Sequence, residues 1–139
     1  AALARLCGAT VTLLHVIEEL KRVSGFERPR AYIDEIRPGF LAAGQVLLDQ
    51  AARRLRDDGI VAETVLLESE GQRVAELVAQ QAEDAGCDLV ILGTHGRRGM
   101  DRFLLGSDAE QIARIAPVPV MLVRHTHRSS AAHVSGPNA

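Results

Sequence analysis

Residues Asp88 to Ile115, DLVILGTHGRRGMDRFLLGSDAEQIARI, contain three kinds of sequence in series. They open on an apolar run of strand length, Asp88 to Leu92, and close on DAEQIARI (Asp108 to Ile115), whose apolar residues recur at helical spacing. Between the two, from Gly93 to Ser107, four glycines fall within fourteen residues, with Arg97, Arg98 and Arg102 among them. A strand feeding a glycine-rich loop and then a helix is the repeating unit of a parallel α/β sheet.

The same alternation continues on both sides. Upstream, GQRVAELVAQQAEDAG (71–86) sets Val74, Leu77, Val78, Ala82 and Ala85 on one helical face and stops at Gly86. IVAETVLLE (60–68) reads as a strand. From Gly39, the apolar positions Phe40, Val46, Leu47, Leu48, Ala51 and Leu55 predict a helix closed by Asp57-Asp58-Gly59. ATVTLLHVI (9–17) is β-branched and continuously apolar towards its end, which predicts a strand covered on both faces, as does CDLVILG (87–93). ALARLCG (2–8) resembles the last turns of a helix ended by Gly8. Downstream, PVPVMLVRH (117–125) is a last strand whose two prolines confine it to an edge. The stretch from Glu18 to Pro38 has no clear period, and either a short helix or a flap is expected there.

The expected fold class is therefore α/β, a doubly wound parallel sheet with helices on both faces, in one domain over residues 1–125 with a flexible tail at 126–139. Such a chain should begin with a strand, whereas this one begins inside a helix. An N-terminally truncated sequence is the expectation that follows.

Composition narrows the function. With 47% hydrophobic and 24% charged residues the chain is globular, and with 3% aromatics and no Trp it lacks the stacking platforms of single-stranded nucleic-acid binders. A net charge of −2 provides no basic field for nucleic acid. Cys7 and Cys87 stand apart, without zinc or redox spacing, and read as reduced thiols of a cytoplasmic protein. No apolar run approaches the ~18 residues of a membrane span.

Gly93 ends a strand, where ligands of open α/β sheets bind, and Gly93 and Gly96 would let backbone N–H groups approach a phosphate closely. Gly106-Ser107 opens a helix, a ready anion site, with Arg97, Arg98 and Arg102 to screen charge. A second reading stands beside this one. Ser107 with Glu110 is also an S-x-x-E capping box, which needs no ligand, and the glycines and arginines then serve only turns and a solvated face.

The spacing Gly93-x2-Gly96-x9-Gly106-Ser107 resembles the G-x2-G-x9-G-[S/T] signature of the ATP-binding branch of the universal stress protein family. LVILGTHGRRGMDRFLLGSDAEQIARIAPVPVMLVR is similar to that family's C-terminal half without a gap, and TVTLLHVIEE to its second strand. The resemblance implies a five-stranded parallel sheet in the order 3-2-1-4-5, with the first, central strand missing from this chain. It implies ATP, with or without Mg²⁺, as cofactor. Gly93, Gly96, Gly106 and Ser107 would meet phosphates and ribose and Val16 the adenine, with Leu92, His95 and Arg97 bordering the same loop. It also implies a homodimer through Val118 to Arg124. The function so implied is a non-catalytic, nucleotide-sensing stress-response module, with no nucleic-acid or membrane partner.

Two other functions stay open. One is a slow Mg²⁺-dependent ATP hydrolase or phosphotransferase using His95, Asp101 or Asp108; the other is a scaffold that binds nothing. No P-loop and no G-x-S-x-G elbow occurs. His125 and His127 alternate at strand spacing but lack a third metal ligand.

Overall fold

The structure, a computed structural model, describes residues 1–18, 36–93 and 106–123. In chain order its elements are α1 (Ala2–Cys7), β1 (Val11–Ile17), α2 (Arg37–Asp57), β2 (Ala62–Glu68), α3 (Val74–Asp84), β3 (Val90–Gly93), α4 (Ser107–Ile115) and β4 (Val120–Val123). The alternation of helix and strand expected from the sequence is present. The aperiodic segment falls mostly at 19–35, and that stretch and the tail at 126–139 lie outside the described residues.

Glycine ends α1, α2 and α3 by one mechanism, whereas α4 ends at Ala116, before Pro117. At the end of α2 the Ile60 N–H donates to the Leu55 carbonyl (2.9 Å) and the Gly59 N–H to that of Arg56 (2.8 Å). Gly59 has φ +76°, which a side chain would strain. The same six-residue closure ends α1, from the Ala9 N–H to the Ala4 carbonyl, and α3, from the Cys87 N–H to the Ala82 carbonyl, each at 2.9 Å. Each helix thus stops with its last carbonyls satisfied and the chain aimed at the next strand.

The strands form two parallel pairs. β1 and β2 run in register from Val11 opposite Ala62 to Ile17 opposite Glu68. β3 and β4 run from Val90 opposite Val120 to Gly93 opposite Val123. Each pair is closed by a helical crossover, α2 in the first β-α-β unit and α4 in the second. α2 packs on β1 and β2, whereas α4 packs on α3 and β4. One continuous sheet was the expectation, yet among the described residues the pairs are two separate two-stranded sheets. Both are neighbour pairs in the order implied by the resemblance. In that order a further strand stands between β1 and β3, and no described residue supplies it.

Burial departs from expectation for the same reason. The apolar runs of β1 and β3 predict strands covered on both faces, but every residue of β1 is only half-buried. β3 alternates half-buried with exposed, and Ile91 is 54% exposed. A strand with one neighbour and one covering helix cannot be sealed on both sides. β4 begins later than Pro117: Pro117 and Pro119 precede its first residue, Val120, and the Pro119 carbonyl accepts the Val90 N–H at 3.0 Å.

Among the described residues the core is small and aliphatic: Leu48, Ala52 and Ile60 in the first unit, and Ala75 and Ala82 of α3 with Ala109 and Ile112 of α4, two helices that pack together. In the first, α2 approaches the sheet at the buried Gly44, where an added Cβ would lie 2.9 Å from both His15 Cδ2 and Leu66 Cδ1. Gly44→Ala is expected to destabilise the chain by about 1–3 kcal/mol through overpacking against the imidazole. Gly39→Ala, in the same helix but facing open space, should be neutral or stabilising by up to ~1 kcal/mol; urea unfolding of the two variants checks both signs.

Candidate functional site

In a β-α-β unit the helix runs back against the strands, so its N-terminus lies at their carboxyl ends. One contact fixes this for the first unit. Arg37, the first residue of α2, donates from Nε to Glu68 Oε2 (2.6 Å) and from Nη2 to Glu68 Oε1 (2.7 Å), and Glu68 is the last residue of β2. The paired fork holds helix to strand end and offsets an arginine charge that would otherwise oppose the helix dipole.

The next residues turn back sharply. The Ser69 N–H donates to the Ile17 carbonyl (2.9 Å), tying the ends of β1 and β2 together, and the Gln72 N–H closes on the Ser69 carbonyl at 2.6 Å. Glu70 (φ +44°) and Gly71 (φ +87°) occupy the centre of this turn, the φ pattern of type I′. The sequence reading singled out neither the Arg37–Glu68 pair nor this turn. Gly71 was the one available signal, since nothing local betrays a glutamate at positive φ.

Val16 lies one residue from the end of β1. The Val11 N–H donates to the Val61 carbonyl and the Ile17 carbonyl accepts from Ser69, so alternation assigns Val11, Leu13, His15 and Ile17 to the ladder with β2. Thr12, Leu14 and Val16 therefore turn their N–H and C=O groups to the opposite edge, which no described strand occupies. In β3 the Val90 N–H bonds β4, so Val90 and Leu92 serve β4 while Ile91 and Gly93 face the open edge. Val16 and Gly93 thus each turn backbone groups, at the carboxyl end of their own pair, to an edge with no strand among the described residues. Leu92 is spent on the ladder and offers only its half-buried side chain.

The second anion element is the start of α4. Its N-cap is Gly106 (φ −58°, ψ 144°), and no side chain among the described residues caps it. The capping-box reading is therefore corrected. Ser107 is the first helical residue, not the cap, and the Glu110 carboxylate accepts from Arg114 Nη2 at 3.1 Å. The first-turn N–H groups and the exposed Ser107 hydroxyl are left to the solvent side. Asp108 and Glu110 sit in that turn, and Arg114 compensates one of them. His95, Gly96 and Arg97, with Arg98, Asp101 and Arg102, lie outside the described residues, as do His125 and His127. Among the described residues no three His, Cys, Asp or Glu side chains gather as a metal site, and no helix is long and apolar enough to cross a membrane.

The universal stress protein family model matches residues 1–124. The chain belongs to that family. Among its universal stress protein relatives, YxiE of Bacillus subtilis is 29% identical over 69% of this chain, which spans 63% of the length of YxiE. Universal stress protein A homolog 1 of Coxiella burnetii is 33% identical over 83% of this chain and 76% of its own. A universal stress family structure from Burkholderia pseudomallei superposes with TM-score 0.64 at 27% identity, over 88% of this chain and 79% of that one. A family structure from Arabidopsis thaliana with AMP bound gives TM-score 0.60 at 19% identity, over 91% and 71% of the two chains. The universal stress protein from Archaeoglobus fulgidus in complex with dAMP gives TM-score 0.55 at 21% identity, over 87% and 78%.

Two substitutions test this end of the universal stress domain. Arg37→Lys loses the bidentate fork and should cost about 1 kcal/mol by chemical denaturation, partial exposure limiting the loss. Glu70→Asn, which tolerates positive φ better, should stabilise by about 1 kcal/mol in the same assay.

Proposed function

We propose that this chain is a cytoplasmic, non-catalytic nucleotide-binding module of the stress response, taking ATP, with or without Mg²⁺, at the carboxyl ends of its strands. The observation that carries the reading is the start of α4. A helix N-terminus capped by glycine alone, on the residues of the family's phosphate signature, offers first-turn N–H groups and a hydroxyl to an anion. The relatives that hold AMP or dAMP support an adenine nucleotide as the class of ligand.

Val16 would meet the adenine through the backbone groups it turns away from β2. Gly93, Gly96, Gly106 and Ser107 would hold ribose and phosphates, and Leu92, His95 and Arg97 would border them. The proposed strand order is 3-2-1-4-5, with the β1–β2 pair on one side of the ligand and the β3–β4 pair on the other. Cys7 and Cys87 are free thiols, which suits a reducing compartment. Dimerisation is proposed through β4, whose Met121, Leu122 and Val123 are exposed and whose outer edge has no neighbour among the described residues.

Gly106→Asp separates binding from stability. An aspartate is a better N-cap than glycine by a few tenths of a kcal/mol and suits the helix dipole, so the melting temperature should hold or rise. Its carboxylate would occupy the same N–H groups and repel phosphate, so nucleotide released from heat-denatured protein should vanish. Ser107→Ala should weaken binding and leave α4 intact, because Ser107 is not the cap. Unchanged nucleotide content in Gly106→Asp would sink the proposal.

A further inference from the structure

We infer that Glu68 decides which way round a nucleotide lies, because it withholds the start of α2 from phosphate and leaves that role to the start of α4. The inference rests on the phosphate site proposed at α4 and adds the reason that phosphate goes there and not to the other unit.

Each unit brings one helix N-terminus to the carboxyl ends of its strands. Judged by their own residues, α2 attracts an anion more than α4 does. α2 starts on Arg37, with no acidic residue in its first turn and no side-chain cap at Ile36. Pro38 removes one N–H donor there, but the guanidinium adds several that carry charge. The first turn of α4 holds Asp108 and Glu110, and both oppose an anion. Helix sequence alone would therefore put phosphate on α2 and the base on the other unit.

Two ion pairs reverse that preference, and the one on α2 is the stronger. Glu68 takes Arg37 with both carboxylate oxygens, at 2.6 and 2.7 Å. Its side chain is 18% exposed against 42% for that of Arg37, so water screens the carboxylate less than the cation it cancels. A negative charge thus stands beside the positive end of the α2 dipole, where an anion would otherwise sit. Glu18 and Glu70 add to it at the same strand ends, but both are exposed and more fully screened. On α4 the pair works the other way, since Arg114 draws the Glu110 carboxylate towards itself at 3.1 Å; being exposed, it contributes little. Backbone contacts set the place of Glu68. It stands opposite Ile17 in the ladder, and the next residue, Ser69, bonds the Ile17 carbonyl. The carboxylate therefore belongs to the residue beside Val16 in register, where it repels a phosphate and tolerates an uncharged base.

Amide shifts by NMR on the full chain, titrated with inorganic pyrophosphate, test both helix starts at once. In the native chain the amides of Ser107, Asp108 and Ala109 should move and those of Arg37 and Gly39 should not. Glu68→Gln keeps an acceptor for Arg37 and removes only the charge. Arg37 and Gly39 should then respond, with pyrophosphate held there about tenfold more tightly than by the native chain. Glu68→Asp shortens the arm and spoils the fork but keeps the charge, so it should behave as the native chain does. A fork that served packing alone would make the two variants alike. The inference is overturned if the α2 amides respond in the native chain, if Glu68→Gln leaves them unmoved, or if Glu68→Asp responds as Glu68→Gln does. The start of α4 is read separately: pyrophosphate that leaves its first turn unmoved in all three proteins counts against the nucleotide site, whatever happens at α2.

Discussion

A parallel strand has two hydrogen-bonding edges, and alternate residues serve each. That constraint governs most of what is unusual here. β1 spends Val11, Leu13, His15 and Ile17 on β2, and β3 spends Val90 and Leu92 on β4, so among the described residues each strand has a partner on one side only. The half-exposed strands and the aliphatic core limited mostly to alanine, leucine and isoleucine are consequences of it. A sheet broken in the middle has twice the rim of a whole one, and rim residues cannot be sealed from water.

The same alternation puts the proposed nucleotide site at the gap between the two described strand pairs. Residues that turn away from their ladder partner at the carboxyl end of a strand here have backbone donors and acceptors with no strand partner among the described residues. Val16 and Gly93 are such residues, one from each unit. The helix that follows β3 brings its first turn to the same end of its pair, and no described side chain caps it, because Gly106 rather than Ser107 sits at the cap. On the other unit that end is stiffened by the Arg37–Glu68 fork and the Ser69–Gln72 turn, which hold the rim in place.

The helices and their ends were legible because each signal is local. Gly8, Gly59 and Gly86 stop helices where the sequence says they should, and α4 spans Ser107 to Ile115 as its periodicity predicts. What depends on neighbours was not legible. Apolar runs in β1 and β3 carry the composition of doubly covered strands, but burial is decided by what lies beside them. The capping box failed for a similar reason: S-x-x-E is a pattern of residues, while the cap position depends on where the backbone enters the helix, and here that is one residue earlier. The Arg37–Glu68 pair joins positions 31 residues apart, a separation at which single-sequence reasoning has no period to follow.

Two β-α-β units, each with its own parallel ladder and its own small core, are also two candidate units of cooperativity. Loss of order in one does not oblige the other to follow when little packing crosses between them. The proposed ligand, reaching from Val16 to Gly93, would change that accounting, since it would bind only with both units in place and so contribute its mass-action stabilisation to their joint survival. In a molecule built this way, cohesion itself would become a readout of nucleotide concentration.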